Sequence, residues 1–122
     1  MDTSEYQKTI TLALKGQTRE LQGIPLSRLD WSGSGAVLEL YDHTSGQERD
    51  NMIRAMGLII EEGAEAPSVI AQVLDIATSL DIAQVETSVQ ILKSKPIGSQ
   101  DPVVSGAIND YLTFRQLSSY KP

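Results

Sequence analysis

The chain has 122 residues, sixteen acidic and ten basic side chains, a formal charge of −6 and no cysteine. That length suits one domain, residues 1–122, burying about two-thirds of its unfolded surface without cross-links; the missing thiols exclude disulfides, thiolate metal sites and cysteine nucleophiles, and fit a reducing cytoplasm. The acidic balance sets the average surface against phosphate backbones and anionic headgroups, and the apolar runs are only a few residues long, so neither nucleic acid nor a membrane is an expected partner.

The hydrophobic period changes near His43 to Gly46, from alternation in twos to recurrence every three to four residues. From Lys8 to Lys15, Ile10, Leu12 and Leu14 oppose Thr9, Thr11 and Ala13, the pattern of a half-buried strand closed by a turn at Gly16. Thr18 to Leu29 carries Leu21, Ile24, Leu26 and Leu29, and Pro25 confines it to an edge or bulged strand. After the turn-rich Trp31 to Gly35, alternation resumes from Ala36 to Asp42 as a third strand. The expected fold is therefore α+β, with a three-stranded antiparallel sheet over about residues 8–42 packed by about four helices over about residues 46–118.

Ser45 and Glu48 stand three apart as a capping box, and Met52, Ile53, Met56, Ile59 and Ile60 form a stripe that runs to Gly63. Pro67 opens a second helix on Val69, Ile70, Val73, Leu74, Ala77 and Leu80. The next stripe, Ile82, Val85, Val89 and Leu92, is turned by about 110° from it, which places a break at Ser79 to Asp81. Pro96 and Gly98 end the third helix, and Asp101 with Pro102 caps and opens a fourth. Val103, Val104, Ala107, Ile108, Tyr111, Leu112, Phe114 and Leu117 cover most of its circumference, so it is expected to be the most buried helix or to dock against another subunit.

His43 is the one histidine, without the spacing of a metal site or a nucleophile elbow around it, and reads as a turn residue. Tyr41 to Arg49 resembles the second switch region of Ras-like GTPases, in which an Asp precedes Gly-Gln-Glu; the Asp-to-Gly spacing here is one residue longer, and the chain has no phosphate loop. Leu74 to Leu92 has the outline of a helix-turn-helix, but Thr87 occupies a position that is usually apolar. The second helix shows no basic residue before Lys93, so packed antiparallel helices are expected. Glu61, Glu62 and Glu65 oppose the dipole at a helix C-terminus, a small cost that a basic partner surface would relieve. Asp30, Ser32 and Gly35 stand as Asp-x-Ser-x-x-Gly, and this segment resembles the motif of PilZ domains, which bind cyclic di-GMP on a β-barrel. The resemblance implies a ligand-binding turn at Arg28, Asp30, Ser32 and Gly35 on the sheet rim; Arg19 and Arg28 depart from the Arg-x-x-x-Arg spacing of that family.

No motif selects a catalytic pair, a metal site or a cofactor, so the sequence favours a non-enzymatic protein. The expected function is a small cytoplasmic interaction module, such as an adaptor, inhibitor or assembly factor, that self-associates or binds a protein partner through the surplus apolar surface of its last helix. Tyr111, Phe114 and Trp31 are the candidate contact aromatics, with Trp31 either a core plug or an exposed anchor. The alternative is a small-ligand or cyclic-dinucleotide-binding module using the Asp30 to Gly35 turn.

Overall fold

A computed structural model describes residues 1–17, 20–21, 24–25 and 33–119, and it places helices where the hydrophobic alternation predicts two of the three strands. The three-stranded sheet, and with it the α+β class, is overturned. Strand pairing among the described residues is confined to β1 (Glu20–Leu21) and β2 (Ile24–Pro25), an antiparallel ladder in which Glu20 faces Pro25 and Leu21 faces Ile24. The chain separates into two compact units, Met1–Met56 and Gly57–Pro122.

In the first unit, α1 (Thr3–Leu14) replaces the strand expected at residues 8–15. Its buried residues, Tyr6, Ile10, Ala13 and Leu14, follow the i, i+4, i+7, i+8 spacing of a helix, and that stripe begins before the alternating stretch. Asp2 and Glu5 supply the start signal. The Asp2 carboxylate accepts from the Glu5 amide at 2.8 Å, and Glu5 Oε1 accepts from the Asp2 amide at 3.3 Å, a capping box that satisfies two otherwise unpaired donors. Thr11, a weak helix former, donates its hydroxyl to the Lys8 carbonyl at 2.9 Å.

The expected third strand is α2 (Ser34–Asp42), which buries Ala36, Val37 and Leu40. A strand would put Val37 on the face opposite Ala36 and Leu40, whereas one helical stripe accommodates all three. α3 (Gly46–Glu62) forms where the 3.6-residue stripe predicts it, with Met52, Met56, Ile59 and Ile60 buried. Glu48, the expected partner of Ser45, directs its carboxylate elsewhere: Oε2 accepts from the Tyr6 hydroxyl at 2.6 Å and lies 3.0 Å from the Met1 amino nitrogen.

The second unit holds the end of α3, then α4 (Pro67–Ser79), a 3-10 turn (Ala83–Val85), α5 (Glu86–Lys93), α6 (Pro96–Gln100) and α7 (Pro102–Ser119). The break after α4 falls at the predicted place. Leu80 caps the helix and Asp81 takes a positive φ of 53°, which turns the chain so that Ile82, Val85, Val89 and Leu92 are buried. Pro96 and Gly98, expected to stop a helix, form one of their own in α6. Gly98 is there for close approach: a Cβ at this position would stand 2.0 Å from the Leu92 carbonyl oxygen. Asp101 caps α7 as expected, its Oδ1 accepting from the Val103 and Val104 amides at 2.9 and 3.1 Å.

The greatest burial belongs to α4 rather than to α7. Seven residues of α4 are buried, Val69, Ile70, Ala71, Val73, Leu74, Ile76 and Ala77, and α7 packs alongside through Val104, Ala107, Ile108 and Tyr111.

Candidate functional site

The polar cluster of the first unit sits at the α2–α3 turn, in the stretch that resembles a GTPase switch. The Thr44 hydroxyl, almost fully buried, donates to the Tyr41 carbonyl at 2.6 Å and accepts from Arg49 Nε at 3.3 Å. Arg49 Nη2 donates to the same Tyr41 carbonyl at 3.2 Å, and its guanidinium carbon lies 4.4 Å from the Tyr41 ring centroid. His43 is exposed, with Nδ1 3.0 Å from the Glu39 carbonyl oxygen. Arg49 and Thr44 are thus committed to holding the turn, and the arrangement is a structural lock. Among the described residues, no three His, Asp or Glu side chains converge as metal ligands.

Gly35 of the Asp-x-Ser-x-x-Gly segment stands in the first turn of α2, whereas Arg28, Asp30, Trp31 and Ser32 lie outside the described residues. The β-barrel implied by the PilZ resemblance has no counterpart in the strand pairing among the described residues, which is the β1–β2 ladder.

In the second unit the acidic C-terminus of α3 is relieved from within the chain. Lys95 Nζ donates to the carbonyls of Glu61 and Glu62, placing a cation on the negative end of that helix, and Gly63 ends it with a φ of +59°. The dipole cost predicted for Glu61, Glu62 and Glu65 therefore needs no partner. Arg115 is engaged similarly, bonding Asp81 through Nη1 with Nε 3.9 Å from Glu86.

Of the three aromatic residues predicted to make contacts, Tyr111 is fully enclosed, and this corrects its expected surface role. Its hydroxyl donates to the Ile82 carbonyl at 2.6 Å, joining α7 to the turn after α4. Burial pushes the phenol up to about 12, with Glu86 and Asp81 adding to the shift and Arg115 opposing it. Phe114 is exposed at 39%, and two residues absent from the contact prediction, Val103 and Leu117, are more so at 55% and 60%. At about 100° per residue, Val103, Asp110, Phe114 and Leu117 fall within a sector of about 60° on α7. Val104, Ala107, Ile108 and Tyr111 occupy the adjoining core face. The signal for this second stripe was present in the 7-4-3 spacing of these residues.

Asp110, within that exposed stripe, acts on Asp75 of α4. The Asp75 carboxyl is raised above its usual value by partial burial and then by the negative charge of Asp110. Neither carboxylate takes part in the Met1–Glu48, Arg115–Asp81 or Arg115–Glu86 ion pairs. On α7, Asp110 thus shares its exposed sector with Val103, Phe114 and Leu117.

Among the described residues no helix is long and apolar enough to cross a membrane. Comparison of the chain with protein-family models, curated proteins and solved structures gives no match.

Proposed function

We propose that this chain is a small protein-interaction module whose exposed α7 face receives a protein partner or a second copy. The observation that carries this reading is the stripe of Val103, Phe114 and Leu117, solvent-exposed on a helix whose other face is packed. Val103 and Leu117 are about 21 Å apart along the axis, long enough to seat a helix of several turns. Large apolar residues scattered singly need no explanation, but three aligned on one face reduce solubility unless something covers them. The absence of cysteine supports a cytoplasmic setting.

The test combines light scattering over a range of concentrations with a photocrosslinking residue placed at Leu117 in the cell that makes the protein, and at exposed Gln90 as control. A second copy gives a concentration-dependent mass that Leu117→Ser reduces, and another protein gives an adduct at 117 that is absent at 90. A strict monomer with equal adduct yields at both positions overturns the reading.

A further inference from the structure

A polar clasp in the first unit ties the start of α1 to the start of α3. The Met1 amino nitrogen lies 3.1 and 3.0 Å from Glu48 Oε1 and Oε2, and the hydroxyl of fully buried Tyr6 donates to the same Oε2 at 2.6 Å. The Met1 carbonyl accepts from Asn51 Nδ2 at 3.2 Å, so residue 1 is held to α3 through both of its backbone ends. The capping box of α1 follows at once, and within it the Asp2 carbonyl accepts from the Tyr6 amide at 3.1 Å.

We propose that the Met1 nitrogen is a modification-sensitive switch. As an ammonium it clasps the first turn of α1 to Glu48 in the first turn of α3, and acylation of that nitrogen opens the clasp.

The geometry fits the charged form. An ammonium carries three N–H donors, and here the nitrogen reaches both oxygens of one carboxylate. An acylated nitrogen is an amide with one N–H and no charge, so it meets one of those oxygens at most and loses the charge-assisted part of the bond. The reaction is an acyl transfer from an acyl thioester. The uncharged amine attacks the thioester carbonyl, the C–N bond forms as the C–S bond breaks, the sulfur leaves as a thiol, and one proton is released for each ammonium converted to amide.

After the transfer Glu48 keeps the Tyr6 hydroxyl and loses the Met1 charge. The Tyr6 hydroxyl is the larger of the two influences that hold the Glu48 carboxyl low, so this carboxylate stays ionised at neutral pH and does not shed its charge to compensate. The Glu48 side chain is 49% exposed, so the ion pair is partly screened. Its loss loosens the first turns of α1 locally and leaves the fold of the unit in place. The proposal involves the first unit alone and is independent of the α7 face.

The test uses the full chain with a free Met1 amine. Limiting acetic anhydride at pH 6.5 acylates the α-amine ahead of the lysines, which remain protonated there, and peptide mapping selects the fraction with one acetyl group on Met1. Carboxyl-carbon NMR follows the titration of Glu48, and hydrogen exchange follows the amides of Tyr6 to Ile10. Acetylation is expected to raise the Glu48 midpoint by at least about 0.3 pH unit. Exchange in α1 should accelerate at least about threefold at low salt and by less at high salt, while the amides of Met52 to Met56 stay within about 1.5-fold. In Glu48→Ala, which lacks the clasp from the start, acetylation should change α1 exchange by less than about 1.5-fold.

An unmoved Glu48 midpoint in acetylated wild type overturns the proposal without recourse to any variant. Equal acceleration in wild type and Glu48→Ala overturns it as well, because the effect then does not pass through Glu48. A raised midpoint with unchanged exchange shows an ion pair that does not hold α1, and the switch falls. Circular dichroism of each form separates local loosening from loss of fold.

Discussion

Replacing Tyr111 by Phe isolates one hydroxyl in the core of the second unit and makes a prediction with two parts. The ring of Tyr111 is fully buried and its hydroxyl donates to the Ile82 carbonyl at 2.6 Å, so the substitution keeps the packing and removes the donor. The carbonyl left behind is an unsatisfied acceptor, which costs about 1–2 kcal/mol. For a chain of this size that lowers Tm by roughly 3–8 °C at pH 7.

The second part comes from the phenol's titration. Its ordinary value is 10.0, and in the fold it is pushed up to about 12. The folded state therefore retains the proton longer than the unfolded state, and the contribution is complete below pH 10 and lost between pH 10 and 12. At about 1.4 kcal/mol per pH unit, the loss amounts to about 2–3 kcal/mol. Tyr111→Phe lacks this group, so its advantage at high pH offsets its deficit at neutrality and the two stability profiles cross between pH 10 and 12. Urea denaturation followed by circular dichroism at pH 7, 9, 10.5 and 11.5 measures both parts, since all other titrating groups are common to the pair. Equal stability at pH 7 with parallel profiles through pH 11.5 would refute the buried hydrogen bond.

Three further changes test other contacts. Gly98→Ala forces a methyl group to within 2.0 Å of the Leu92 carbonyl oxygen, and because backbone cannot yield as a side chain can, the loss should be at least about 2 kcal/mol by urea denaturation. Tyr6→Phe removes the hydrogen bond that chiefly holds the Glu48 carboxyl below its usual 4.5. The wild-type contribution is present above about pH 4.5 and lost as pH falls through the lowered value. The Tm difference between wild type and Tyr6→Phe should therefore be constant from pH 7 to 5 and shrink toward pH 3. Asp75→Asn relieves a carboxylate whose raised value opposes folding at neutral pH, and should increase stability slightly, by a few tenths of a kcal/mol at this exposed position; a lower Tm at pH 7 would refute this.

The helical half was legible because its signals agree with one another. Met52, Ile53, Met56, Ile59 and Ile60 repeat at helical spacing ahead of Gly63, Pro67 opens α4, and Asp101 with Pro102 opens α7. The change of phase between the two stripes placed the break at Ser79 to Asp81 without any Gly or Pro to mark it, and the turn falls at Asp81. The N-terminal half failed for a definable reason. Over seven or eight residues, Ile10, Leu12 and Leu14 satisfy a period of two while Tyr6, Ile10, Ala13 and Leu14 satisfy a period of 3.6, and the longer window with its Asp2–Glu5 capping box decides between them.

The same ambiguity limits any reading of α7, because a helix that is apolar on most sides does not say which side is covered. Tyr111 and Phe114 are three positions apart and look alike in sequence, yet one is sealed by a hydrogen bond to Ile82 and the other stands in water. What separates the two faces is Asp110, since a lone carboxylate among apolar residues marks the side that meets solvent or a cation.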